Sequence, residues 1–335
     1  MSIGYTINSL LNLFSYNNRL IRVPGKPVIY AIEVSSYCNL RCVMCPYTRM
    51  RRKKSNMRFS LFKKIIDEAK YFAPVLWLHV FGEPLMNPEI FRMIKYCKER
   101  GIRNVGLSTN ITLLDREKSA KLLDSGLDII VLSLDGATRE TYAAIRRGGD
   151  FEKAENNVKT FLEMKEKKGS KIHVILSIIR MKETQKEIAA FKKRWNSPMI
   201  DEIWVKEFIT WGGQLDLSDI APQNRNSQSM KQRYPCRKFW ESVVISSNGK
   251  VLPCCYDYDE KLILGDITKQ TLSEIWNGEI LQEIRKAQCN GNFDNPLCKN
   301  CQEWSGFPKD DKFIISVVKR GFLRVLHLQA PSERI

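Results

Sequence analysis

The stretch Val34-Ser-Ser-Tyr-Cys-Asn-Leu-Arg-Cys-Val-Met-Cys-Pro46 decides how the chain is read. It sets Cys38, Cys42 and Cys45 in a C-x3-C-x2-C spacing, directly after a mostly apolar run, Val28 to Val34, that reads as a strand. Soft sulfur ligands select iron–sulfur and zinc centres, and three thiolates on one short loop can hold three irons of a [4Fe–4S] cluster. A zinc site normally recruits a fourth Cys or His nearby. The next candidates, His79 and Cys97, lie well outside that spacing. Three ligands without a fourth leave one iron open to a group that is not protein. The competing readings are a disulfide pair with a spare thiol and a truncated zinc knuckle.

The totals frame this loop. A chain of 335 residues holds one large domain, or a large one and a small one. Its 43% apolar and 27% charged content is that of a globular protein. Its apolar runs fall far short of the ~20 residues of a membrane span. Met1 to Tyr16 lacks a basic start and a small-residue cleavage site, so it does not read as a signal peptide. Seven of ten cysteines fall in metal-like groupings, which points to a reducing, cytoplasmic setting rather than a disulfide scaffold. The net charge of +17 raises nucleic acid, an anionic membrane surface or an anionic substrate as partners. The basic residues are mostly spread along helices, with one dense cluster at Arg49, Arg51, Arg52, Lys53 and Lys54. No aromatic single-strand platform accompanies them, which argues against nucleic acid.

Along the chain, residues 5–18 read as an amphipathic helix and Pro24 to Pro27 as the break before the first strand. Helices follow near 60–72 (capped by Ser60), 88–100, 115–125, 138–145, 151–168 and 183–195. They alternate with strands near 75–81, 104–108, 128–134, 171–179 and 202–208. Six strands alternating with helices predict a parallel α/β sheet of right-handed crossovers, with the motifs at strand C-terminal ends. The breaker-rich, polar stretch 211–235 reads as a linker. The predicted layout is a helical segment 1–27, a barrel 28–210, the linker 211–235, a cysteine-rich domain 236–305 and a basic amphipathic tail 306–335.

The cysteine loop resembles the cluster motif of the radical S-adenosylmethionine (radical SAM) superfamily, with Met44 where relatives often have an aromatic residue. That resemblance implies a partial (β/α)6 TIM-like barrel, S-adenosylmethionine on the open iron, and metal ligation by Cys38, Cys42 and Cys45. The Phe81-Gly-Glu-Pro-Leu85 stretch, after the second strand, matches the family's motif for the methionine amino group, so Gly82, Glu83 and Pro84 take that role. By the same resemblance Ser108, Asn110 and Ser133 contact the cofactor, with Asp135 in or near the pocket. Arg146 holds the cofactor carboxylate, and Arg147 is its alternative. A solvated helix charge is the other reading of either arginine.

A second constellation follows: Cys236, then Ile245-Ser-Ser-Asn-Gly-Lys-Val-Leu-Pro-Cys-Cys255, then Cys298-Lys-Asn-Cys301. Asn248-Gly249 between apolar runs predicts a hairpin that returns Cys254 toward Cys236. Four thiolates suit zinc as well as iron–sulfur, and ligand chemistry leaves both open. The arrangement resembles the SPASM/twitch extension of radical SAM enzymes, a small Cys-rich α+β unit holding auxiliary clusters. Six cysteines follow residue 235, without the full SPASM order, so one auxiliary cluster is expected, on Cys236, Cys254, Cys298 and Cys301. Cys255 is the alternative to Cys254; Cys289 stays outside the set, and Cys97 reads as a core thiol. The tail 313–328 places an apolar stripe beside Lys312, Lys319, Arg320 and Arg324, for packing on the barrel or for a membrane surface.

The resemblance implies an oxidoreductase that cleaves S-adenosylmethionine to a 5′-deoxyadenosyl radical. The expected reaction is dehydrogenation of a small, sugar-like substrate with the auxiliary cluster as electron acceptor, and flavodoxin or ferredoxin is the expected electron donor. The alternatives are peptide maturation and a zinc-stabilised RNA- or membrane-binding protein. No catalytic base stands out; Glu207, Asp216 and Asp257 are the acidic candidates.

Overall fold

Five βα units and a sixth strand follow an N-terminal helix, α1 (Ile3–Asn17), in a computed structural model that describes residues 3–73, 75–222 and 232–310. The units are β1 (Ile29–Ile32), α2 (Phe59–Ala69), β2 (Val75–Trp77), α3 (Ile90–Glu99), β3 (Asn104–Thr109) and α4 (Arg116–Leu123), continuing with β4 (Ile129–Ser133), α5 (Arg139–Ile145), α6 (Phe151–Lys168), β5 (His173–Ile179), α7 (Ile188–Arg194) and β6 (Glu202–Lys206). All neighbouring pairs from β1 to β6 are parallel, giving the partial barrel. One strand face carries the core: Leu76, Leu78, Leu107, Ile130, Leu132 and Leu176 are buried with Ile65, Met93 and Phe161 of the helices. Side chains alternate, so the opposite face lines the lumen, and there the sequence changes to Trp77, His79, Ser108, Ser133, Ser177 and Lys206.

Local rules explain most boundaries. Asp115, Thr138 and Asp150 cap α4, α5 and α6 by accepting N–H groups of Lys118, Thr141 and Lys153. The cap expected of Ser60 does not form. Helix α2 starts one residue earlier, because Glu89 from the next unit accepts the Phe59 N–H at 3.2 Å. Strand β2 stops short of the expected Phe81 for a similar reason: the Ser108 N–H bonds to His79 Nδ1, a side chain, at 3.1 Å.

The cysteine-rich extension joins the barrel's own sheet. After the turn α8 (Lys238–Glu241), β7 (Ser242–Ile245) pairs in parallel with β1, from Ile29 opposite Ser242 to Ile32 opposite Ile245. The predicted hairpin then forms with β8 (Lys250–Leu252), Gly249 taking φ +93°, and β9 (Gly265–Asp266) completes a sheet ordered β6-β5-β4-β3-β2-β1-β7-β8-β9. Helices α9 (Leu272–Trp276) and α10 (Glu279–Cys289) close this end. Buried Trp240 and Trp276 donate their indole N–H groups to Leu20 O and Gly25 O at 2.8 Å each, clamping the N-terminal segment. The stretch read as a linker is, up to Leu217, part of a wall: Trp211, Leu215 and Leu217 pack with Cys42 and Met44. The amphipathic stripe 313–328 lies outside the described residues.

The basic cluster is not a uniform patch. The Arg52 side chain is buried, forks onto Glu33 at 2.5 and 2.9 Å, and donates through Nε to Tyr258 O at 2.7 Å. Glu33 also accepts the Ser247 N–H. One ion pair thus ties β1, the cysteine loop and the extension together. Removing one member of a buried pair leaves the other charge uncompensated, at about 3–5 kcal/mol. Arg52→Met should therefore lower the thermal unfolding midpoint sharply, whereas Arg51→Met, at an exposed position, should leave it nearly unchanged.

Candidate functional site

The cysteine loop is placed by the turn after β2. Gly82 takes φ +74°, and a Cβ there would come within 2.8 Å of Tyr37 O and closer still to Ser35 O, so the turn lies flat against the loop. The Glu83 N–H bonds to Tyr37 O at 2.7 Å, and the Cys38 N–H bonds to the Tyr47 hydroxyl at 2.9 Å. Hydrogen-bond donors then converge on sulfur. The Leu40 N–H is 3.5 Å from Cys38 Sγ, Asn110 Nδ2 is 3.8 Å from the same sulfur, and Arg146 Nη1 is 3.8 Å from Cys42 Sγ. Burial pushes the Cys38 thiol up to about 11 and Cys45 up to about 12, and raises Cys42 as well. All ten cysteines are free thiols. Buried, mutually interacting thiols with N–H donors aimed at them fit an iron–sulfur cluster, whose potential such donors tune.

Glu83 is 1% exposed. Its carboxylate accepts from Thr109 Oγ1 at 2.8 Å, the Asn110 N–H at 2.7 Å and the Leu85 N–H at 3.2 Å. Burial raises its pKa against the pull of those hydrogen bonds. Pro84 starts the short 3-10 turn Pro84–Met86 that holds this carboxylate beside the cysteine loop. Such a buried carboxylate suits a cationic partner. Asn110, expected on the cofactor, spends much of its amide on Asn39 at 3.0 Å and Thr112 at 2.6 Å.

At the lumen, Ser108 Oγ and Ser133 Oγ are 3.1 Å apart, and Ser177 Oγ, not singled out from sequence, continues the row at 3.3 Å. Arg146 is buried, which sets aside its reading as a solvated charge, and pairs with Asp135. Burial opposes its charge, but Asp135 and then Cys42 outweigh that and hold its pKa above the usual arginine range. Its Nε is buried without a hydrogen-bond partner among the described residues. Asp135 takes φ +52° and also accepts the Ile179 N–H at 2.8 Å. Arg147 is exposed.

None of the three acidic base candidates lies in this lumen. Glu207 faces outward and pairs with Arg180, Asp216 is exposed and bonds Ser218, and Asp257 folds a turn by accepting the N–H groups of Lys261 and Leu262. The lumen's titratable residues include His79 and Lys206. Burial lowers His79 to about 3 and Lys206 to about 8. The alternation of β2 and β6 was the only sequence signal for either.

In the extension, Cys236, Cys298 and Cys301 act on one another electrostatically. Cys254 packs into the same apolar core as Cys236 and Cys298, while Cys255 lies 3.8 Å from Lys238 Nζ. Cys289 bonds to Arg19 O and stands apart. Among the described residues, no three His, Cys, Asp or Glu side chains converge closely enough to hold a single metal ion.

Residues 32–193 match the profile of the radical SAM superfamily, and residues 236–302 match SPASM, an iron–sulfur cluster-binding domain. A tungsten-containing aldehyde ferredoxin oxidoreductase cofactor-modifying protein of Pyrococcus furiosus is 26% identical, over 81% of this chain and 86% of its own. An S-adenosyl-L-methionine-dependent 2-deoxy-scyllo-inosamine dehydrogenase of Niallia circulans is 26% identical, over 82% and 92%. Among solved structures, BtrN in complex with AdoMet and 2-DOIA matches at TM-score 0.57 and 19% identity, over 85% of this chain and 96% of BtrN. Streptococcus suis SuiB bound to the precursor peptide SuiA matches at 0.65 and 18%, over 87% and 72%.

The two thiol groups sit on separate elements, so emptying one should leave the other loaded. A Cys38→Ala, Cys42→Ala, Cys45→Ala triple variant, purified anaerobically, should keep one cluster's iron and acid-labile sulfide with a brown chromophore. Zinc without sulfide in that variant would make the extension a structural zinc site.

Proposed function

This chain is a radical SAM protein with a SPASM iron–sulfur cluster-binding domain, and on that premise we propose that it removes two electrons from a small hydroxylated substrate. The observation that carries this reading is the Gly82–Glu83 turn seated on the three-thiol loop. With its cofactors bound, such a site supplies a 5′-deoxyadenosyl radical that takes a hydrogen atom from substrate, and an auxiliary cluster that accepts an electron. The protein's part is placement and dryness.

In this reading Cys38, Cys42 and Cys45 hold the catalytic cluster, and Glu83 receives the cofactor's ammonium. Gly82 and Pro84 shape that turn. Ser108, Asn110 and Ser133 face the cofactor's sugar. Arg146 presents its guanidinium to the cofactor carboxylate, held from behind by Asp135. Trp211 donates its indole N–H to Met44 O at 2.7 Å and packs with Phe81, shielding the loop. Cys236, Cys254, Cys298 and Cys301 hold the auxiliary cluster. A one-electron donor of the flavodoxin or ferredoxin class and a cytoplasmic setting complete the proposal; no helix among the described residues is long and apolar enough to cross a membrane.

Two features favour a sugar-like alcohol. The chain spans nearly the full length of the 2-deoxy-scyllo-inosamine dehydrogenase, and beyond the two serines given to the cofactor its lumen carries Ser177, whose hydroxyl suits a polyol. An anionic group on that substrate would find exposed Arg49 and Arg51, whereas Arg52 is committed to Glu33. Peptide maturation is the second reading, favoured by the fold match to peptide-bound SuiB.

The stoichiometry decides between oxidation and rearrangement. Across a panel of aminocyclitols and sugar alcohols, including 2-deoxy-scyllo-inosamine, carbonyl product and 5′-deoxyadenosine should form one to one, and Cys42→Ala should form neither. Many product turnovers per S-adenosylmethionine consumed would contradict a dehydrogenase.

A further inference from the structure

Lys206 ends β6 opposite Ile179 of β5, on the lumen face. Its outward neighbour Val205 packs on the helical core, and Glu207 turns outward to Arg180, so the ammonium has only the lumen to enter. Among the described residues its Nζ has no hydrogen-bond partner. The charged groups that act on it are Asp135, after β4, and Arg146, after α5; His79, after β2, feels its charge. No pair neutralises it, since Asp135 is already engaged by Arg146.

His79 is fixed more tightly. Its Nδ1 accepts the Ser108 N–H at 3.1 Å, and the ring lies edge-on to Trp77 at 5.4 Å. A neutral imidazole whose Nδ1 accepts must carry its proton on Nε2. Burial, and then the nearby Lys206, keep the ring neutral at physiological pH. His79 therefore offers the lumen a fixed Nε2–H donor and cannot itself take a proton there without becoming a buried cation beside Lys206.

We infer that these two side chains form the substrate-activating pair: His79 Nε2–H holds the oxygen of the alcohol being oxidised, and Lys206, as the free amine, takes its proton. This rests on the dehydrogenation proposed above. With the cofactors bound, the carbon's hydrogen atom would go to the 5′-deoxyadenosyl radical they supply and the remaining electron to the cluster held by the extension, while Lys206 Nζ takes the O–H proton. C–O becomes C=O, and two electrons and two hydrogens are accounted for. Burial supports the amine's role by bringing Lys206 down to about 8, where a fraction of it is unprotonated near neutrality. Ser177, next to the cofactor-facing Ser133, would orient another of the substrate's hydroxyls beside this pair.

Competitive amine labelling with acetic anhydride across a pH series, read by mass spectrometry of the Lys206 peptide in the full-length, cluster-loaded protein, tests the amine directly. A labelling midpoint near 8 is expected; a midpoint above 10, the range of surface lysines, would overturn the inference. In the same preparation Lys206→Gln should slow carbonyl formation about a hundred-fold, the usual weight of a general base. Carbonyl formation at the wild-type rate would also overturn it. Should none of the panel be oxidised, the labelling midpoint alone decides. Failure of the wild type to form any 5′-deoxyadenosine would count against the proposed function, and the Lys206 midpoint remains readable in that case.

Discussion

Everything at the working end depends on one steric constraint: the turn at Gly82 must press against the carbonyls of Ser35 and Tyr37. Its left-handed φ and the lack of space for a Cβ leave glycine as the residue that fits. Through that contact the end of β2 carries Glu83 beside Cys38, and Glu83 in turn ties down Thr109 and Asn110 at the end of β3. The thiols, the carboxylate and the serine row are thus referenced to adjacent strands of one sheet. Rigid strands position groups more closely than free loops do, and a radical that must meet one C–H bond needs that accuracy.

A second constraint fixes the extension. Because β7 pairs with β1 in register, the cysteine-rich extension is referenced to the same sheet as the cysteine loop. The Glu33–Arg52 pair reinforces this from the loop side, with Ser247 and Tyr258 of the extension as further partners. Electron transfer between a substrate radical and a second centre depends on a fixed separation, and a shared sheet supplies one.

The sequence made much of this legible, and its silences have physical causes. The three thiols, Gly82 and Glu83 stand out because their chemistry demands specific residue types at short spacing. Asp115 and Asp150 mark helix starts because capping is local. The Ser60 cap failed because a distant residue, Glu89, took over the job. The β1–β7 pairing spans more than two hundred residues and leaves no local trace. Lys206 and Glu207 are adjacent in sequence and both polar; only the strand's alternation sends one into the lumen and the other out. Arg52 looked like part of a basic patch because charge runs in sequence say nothing about burial.

The central claim is that the three-thiol loop holds a cluster with one iron open to S-adenosylmethionine. Electron paramagnetic resonance of the anaerobically reconstituted, dithionite-reduced protein reads that iron directly. Adding S-adenosylmethionine should change the reduced-cluster signal of the wild type and leave the residual signal of the variant lacking Cys38, Cys42 and Cys45 untouched. A wild-type spectrum indifferent to saturating S-adenosylmethionine would contradict the account.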